Sequence, residues 1–214
     1  MPETNITVVN AALQRLGAAP ITSLTCTTEE RSVIMERIYN RTLEASLRSH
    51  RWNFAQRARQ LVAWICAPVW GYDCAYLVPD DALTIDETDL EDDEAWRLEQ
   101  HVCDFNFTCH KVIVTDACSV AIRYTALIGD PNAWDPMFKE ALIVTLAHHA
   151  AYPITRNTNL KDSLAAEAEF LWRKARSRDG QEGKPLKRLL SNVLLRARFG
   201  REGGRTDWRD WTNP

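Results

Sequence analysis

Apolar positions along this chain recur at helical spacing near both ends and alternate with polar ones between. Ile6, Val9, Leu13 and Leu16 line one face of a short helix, with Thr4 placed to cap its start and Gly17 its end. Thr27-Thr28-Glu29-Glu30 reads as a capping box, with Thr27 as the cap and Glu30 reaching back. A longer helix follows to about Ser49, with Ile34 and Ile38 beside the row Met35, Tyr39, Leu43 and Leu47.

From Trp52 to Tyr124 the period shortens. Tyr72 to Val78 and Leu83 to Ile85 read as strands parted by Pro79-Asp80-Asp81. Val102 to Phe107 alternates, with Cys103, Phe105 and Phe107 on one side. Val112 to Thr115 and Val120 to Tyr124 are further β-rich runs, and Thr108-Cys109-His110-Lys111 reads as a hairpin connection. Helical spacing returns at Asp135-Pro136, an N-cap acid before the residue best suited to a first helical position. Phe138, Leu142, Leu146 and His149 continue that helix, which Pro153 should stop. Asn159 opens a fourth helix with Leu160, Leu164, Ala168, Leu171 and Ala175 inward, fraying near Arg178-Asp179-Gly180.

The expected fold is therefore α+β and mainly helical. Residues 1–51 and 133–179 would form an antiparallel helical bundle, and 52–132 a small inserted antiparallel β-sheet. Residues 180–214, rich in glycine and arginine, would form an extended C-terminal arm, with a short helix around Leu186 to Phe199. No internal repeat is visible.

Composition adds limits more than chemistry. Apolar residues make up 45% of the 214 and charged ones 26%, as in ordinary globular proteins. The longest apolar stretch, Ala141 to Tyr152, is too short for a bilayer and carries His148 and His149, so no membrane partner is expected. No basic region followed by an apolar run opens the chain, which points to folding in a cytosol. The six cysteines then read as reduced thiols. The nearest approach to a metal set is His101 and Cys103 with Cys109 and His110. The last two are adjacent and would point to opposite faces of a strand unless a turn intervenes.

The net charge of −3 hides an uneven layout. Asp80, Asp81, Asp86, Glu87, Asp89, Glu91, Asp92, Asp93 and Glu94 follow one another with no Lys or Arg between them. After Gly180 the balance turns basic, with Lys184, Lys187, Arg188, Arg196, Arg198, Arg201, Arg205 and Arg209. Phosphate loops, Gly-x-Ser-x-Gly elbows and His-Glu-x-x-His helices do not occur.

The order of these signals resembles the tail tubular protein A, or head-to-tail connector, family of short-tailed bacteriophages. The marks are Ala12-Leu13-x-x-Leu16-Gly17, Ile21-x-Ser23-Leu24, and Tyr39 with Leu43 and Leu47 ahead of His50-x-Trp52-Asn53-Phe54-Ala55. Ala75-Tyr76-x-x-Pro79-x-Asp81, Trp134-Asp135-Pro136-x-Phe138 and Leu146-Ala147 follow, so the likeness covers about residues 5 to 180. Arg51 stands where a proline is common, and Cys26-Thr27-Thr28 replaces a Glu-Gly-rich turn.

The resemblance implies a non-enzymatic virion protein, made in the host cytoplasm and placed in the neck of the tail. It would form a dodecameric ring of its own copies between the portal protein and the next tail component, a nozzle or tail tube. Double-stranded DNA would pass through during ejection without sequence-specific binding, and no cofactor is implied. The arm that embraces the portal would fall on Arg196, Arg198, Phe199, Arg201, Arg205, Trp208, Arg209 and Trp211, two residue types that dominate binding hot spots. The alternatives for the same arm are a tail without a partner and a DNA contact through arginines and stacked tryptophans.

Asp86, Glu87, Asp89, Glu91, Asp92, Asp93 and Glu94 are either a solvated loop or the lining of a channel wall that repels phosphates. Trp52 and Phe54 read as a hinge between helix and sheet, or as part of a subunit interface; Trp64 and Trp70 are core residues or exposed anchors. His148 and His149 read as satisfied core or interface histidines. A soluble nucleic-acid-binding protein using the basic C-terminal segment is the alternative, and an enzyme with an unfamiliar site a third.

Overall fold

The computed structural model describes residues 3–26, 28–64, 68, 70–90, 95–102 and 109–182. The chain divides into two units, Met1–Gly180 and Gln181–Pro214, and only Gln181 and Glu182 of the second are described.

Helix α1, Asn5–Arg15, begins at a reciprocal cap: the Thr4 hydroxyl accepts from the Thr7 N–H, and Thr7 Oγ1 accepts from the Thr4 N–H. Gly17 follows in the left-handed region at φ 68°, where a side chain would be strained. Helix α2 is Glu30–Arg48, α3 is Pro136–Thr155 and α4 is Thr158–Glu182. Among the described residues seven strands lie between α2 and α3: β1 Gln56–Gln60, β2 Val62–Ala63, β3 Cys74–Leu77, β4 Ala82–Thr88, β5 Trp96–Val102, β6 Cys109–Thr115 and β7 Ala121–Ala126.

They make two antiparallel sheets, ordered β1-β7-β4 and β2-β3-β6-β5. Only Leu61 separates β1 from β2; it is buried, and its N–H donates to the Val120 carbonyl at 2.8 Å, so the chain steps from one sheet to the other there. β6 is central in its sheet and reads Val112-Ile113-Val114 without alternation, because both its faces are covered. Ile113 faces the main core, while Val112 and Val114 pack with Ala75 and the half-buried Trp64 and Tyr72 in a small second core.

The main core is continuous from helices to sheet, joining Val9, Leu13, Met35, Leu47 and Leu142 to Tyr76, Ile122 and Tyr124. α3 is buried on most of its circumference, since α1 and α2 both pack on it; hence its run of Ala, Leu and Val.

The architecture corrects the expected fold class. Helices hold 49% and strands 23% of the described residues, so the molecule is α+β with a substantial sheet, not mainly a helical bundle with a small insertion. The difference lies in strands that carry little apolar pattern. β1 reads Gln-Arg-Ala-Arg-Gln, a charged and exposed edge, and β2 is two residues long. β5 runs Trp96–Val102, upstream of the expected strand; Cys103, Phe105 and Phe107 lie outside the described residues. Cys109, His110 and Lys111 belong to β6 instead of a hairpin turn.

Four helix ends also differ. Glu29 occupies the capping position of α2 with no side-chain cap bond, and Thr27 lies outside the described residues. α3 passes through Pro153 to Thr155: a missing N–H in the last turn costs one hydrogen bond, and Arg156 closes the helix at φ 55°. α4 starts at Thr158, where the Asn157 side chain accepts from the Leu160 N–H, and holds together past Gly180 to Glu182. The short helix expected near Leu186 to Phe199 lies outside the described residues.

Candidate interaction surface

Trp52 sits where α2 gives way to the sheet, and it is fully buried. Its indole N–H donates to the Ser46 carbonyl at 3.0 Å, so the ring is fixed to the last turn of α2. Phe138 meets it edge to face at 5.0 Å, Trp172 lies at 5.7 Å, and Phe54 meets Phe138 at 5.0 Å. Trp134 completes the cluster at 5.7 Å from Phe138, with its N–H on the Ile128 carbonyl. Trp172 donates to Thr145 Oγ1 at 2.8 Å. Each of the three indole N–H groups is thus satisfied, with Trp52 and Trp134 buried and Trp172 half-buried. Phe54 is half-buried at the edge.

Beside this cluster stands a carboxylate that the sequence reading passed over. Asp179 is only 7% exposed. Its Oδ1 accepts from the Asn53 N–H at 3.0 Å, its Oδ2 lies 3.1 Å from His50 Nε2, and its own carbonyl accepts from Asn53 Nδ2 at 2.6 Å. The acid caps the short 3-10 turn Asn53–Ala55 and ties the end of α4 to the α2–β1 junction. The signal was present: Leu164, Ala168, Leu171, Trp172 and Ala175 form a stripe whose next member, four residues on, is Asp179.

The acidic run is not one loop. Ala82–Thr88 is a strand, and its carboxylates are engaged across the β1-β7-β4 sheet. The Asp86 side chain, 4% exposed, accepts from Gln56 Nε2 at 2.8 Å and Thr125 Oγ1 at 2.7 Å, with Arg51 Nε at 3.4 Å. Glu87 pairs with Arg51 at 2.7 Å and Arg123 at 3.0 Å. The Arg51 hydrogen bond holds the Glu87 carboxyl below its ordinary value of 4.5. Asp89 Oδ1 accepts from the Ala121 N–H at 2.6 Å, and Asp81 pairs with Arg57 at 2.8 Å. Arginines distant in sequence therefore neutralise much of the run. Glu91, Asp92, Asp93 and Glu94 lie outside the described residues.

Trp64 is half-buried against the second core, with its ring 5.0 Å from His110, whereas Trp70 is 87% exposed on the loop between β2 and β3. His149, on α3, is exposed, so of its expected places in the core or at an interface the core is excluded; partial desolvation, with His148 second, holds it below 6.5. His148 is half-buried, with Nδ1 3.0 Å from the Lys161 carbonyl. The β5–β6 register sets His101 opposite His110 and Val102 opposite Cys109. Among the described residues no group of three or more His, Cys, Asp or Glu is placed to hold a metal ion. No described helix is long and apolar enough to cross a membrane. Arg196, Arg198, Phe199, Arg201, Arg205, Trp208, Arg209 and Trp211 lie outside the described residues.

A hollow of about 380 Å³ beside the start of α2 is lined by Glu29, Glu30, Arg31, Ile34 and Pro153. A second, of about 200 Å³, lies between β4 and β5 with an apolar floor. The residues described above are arranged for packing, capping and surface contact. Compared with known proteins, the chain matches no family model and no curated protein.

Proposed function

We propose that this chain is a virion structural protein, a ring-forming adaptor that joins the portal of a phage head to the next tail component. The observation that carries the reading is the ordered motif set running from Ala12-Leu13-x-x-Leu16-Gly17 to Leu146-Ala147. Supporting it, those motifs fall on residues that build the body: Trp52 and Phe138 in one aromatic cluster, Asp135 capping α3, and Asp81 pairing with Arg57 beside β4. Val62, Trp70, Tyr152 and Phe170 are large apolar groups left in solvent, which suits a subunit with neighbours.

In this reading Met1–Gly180 is the ring body, and the arginine- and tryptophan-bearing arm after Gly180 grips the portal. Channel lining falls to Glu91, Asp92, Asp93 and Glu94, since Asp86, Glu87 and Asp89 are engaged within the sheet. The test is removal of residues 181–214. Heads incubated with the truncated chain should fail to acquire tails, and normal tail attachment would remove the arm from the account. A salt titration separates the nucleic-acid alternative: phosphate binding weakens steeply with ionic strength, and assembly on a portal should not follow that slope.

A further inference from the structure

Two unlike surface features, one on the β2-β3-β6-β5 sheet and one where its β5 faces β4 of the other sheet, are complementary. One is the loop leading into β3, where Trp70 stands 87% exposed. Gly71 beside it holds φ 81°, a conformation that turns the chain and presents the indole outward. The charged groups next to it are acids: Asp73 is exposed, and its N–H donates to the equally exposed Asp116 at 2.9 Å.

The other is the groove of about 200 Å³ between β4 and β5. Leu83, Ile85 and Leu98 form its apolar part and Trp96 one wall; Leu98 remains 48% exposed and Trp96 40%. Its only charged lining residues among those described are cations, Arg48 and Lys111. Among the described residues β5 is the edge strand of its sheet.

From these two features we propose that the Trp70 loop of one copy seats in the β4–β5 groove of the next. Trp70 meets the apolar floor, while Asp73 and Asp116 face the Arg48 and Lys111 rim. An apolar anchor surrounded by matched charge is how specific contacts gain both affinity and register. Because the two patches differ, the contact is heterologous: each copy offers a plug to one neighbour and a socket to another, which builds a ring or a filament but no closed two-fold dimer. The inference rests on the reading of the chain as one that assembles with its own copies, and it names the contact.

Sedimentation across a concentration series tests it, using full-length chains. Both Trp70→Ala and Leu98→Asp alter exposed side chains, and unchanged thermal melts will show that the body stays folded. Wild type should associate beyond two copies, and each variant alone should remain a monomer. Mixed, the two variants should stop at a dimer, because the intact loop of the Leu98→Asp copy still fits the intact groove of the Trp70→Ala copy. A wild type that stays monomeric, variants that associate like it, or a mixture that yields no dimer would each overturn the contact. Binding of Trp70→Ala to portal-bearing heads separates the two ideas: rings formed there by that variant would remove this contact and leave the adaptor reading standing.

Discussion

Asp179 shows how one side chain sets the position of larger parts. A carboxylate near a helix C-terminus opposes the helix dipole, so its presence there needs local partners to offset that cost. The Asn53 N–H and His50 supply them. Replacing Asp179 with Ala would leave the Asn53 N–H without its acceptor, and we expect a loss of about 2 kcal/mol in chemical denaturation. Tyr39 is the opposite case. Burial pushes its hydroxyl up to about 12, and the oxygen has no hydrogen-bond partner among the described residues. Tyr39→Phe should therefore leave the denaturation midpoint unchanged or raise it, since an unpaired hydroxyl gains nothing from burial. A marked loss of stability would show that this oxygen is satisfied in solution.

Among the elements, the junction of α2 with the sheet concentrates the packing. Trp52 is fully buried and touches partners from α2, α3 and α4, so Trp52→Ala should cost about 4 kcal/mol, measured by the same denaturation. The three-stranded sheet adds charge pairs to the packing of Ile122 and Tyr124. With its folded-state carboxyl held low by Arg51, Glu87 contributes stability above 4.5 that is lost as pH falls through that value and below. Glu87→Gln should melt lower than wild type at neutral pH and converge with it in acid. Melts that fall in parallel would show that the pair contributes nothing.

These elements were legible unevenly. Thr4, Asp135 and the Leu164–Ala168–Ala175 stripe announce their helices because a cap or a repeat is a local property of the chain. β1 was invisible because an edge strand bearing Arg57 and Arg59 to solvent has no apolar face to repeat. The pairing of Arg51 and Arg123 with Glu87 joins residues far apart in sequence, and no spacing rule reaches across that distance.

At the scale of the molecule, helices and strands share one core, so the sheet is part of the body that neighbours would meet. We propose that this body works through such meetings, with the arm after Gly180 as its grip on the portal. Electron micrographs of the purified chain mixed with portal-bearing heads test it most directly. A ring of added density should stand at the portal vertex and be absent when residues 181–214 are removed. Bare vertices, with the intact chain left free in solution, would contradict it.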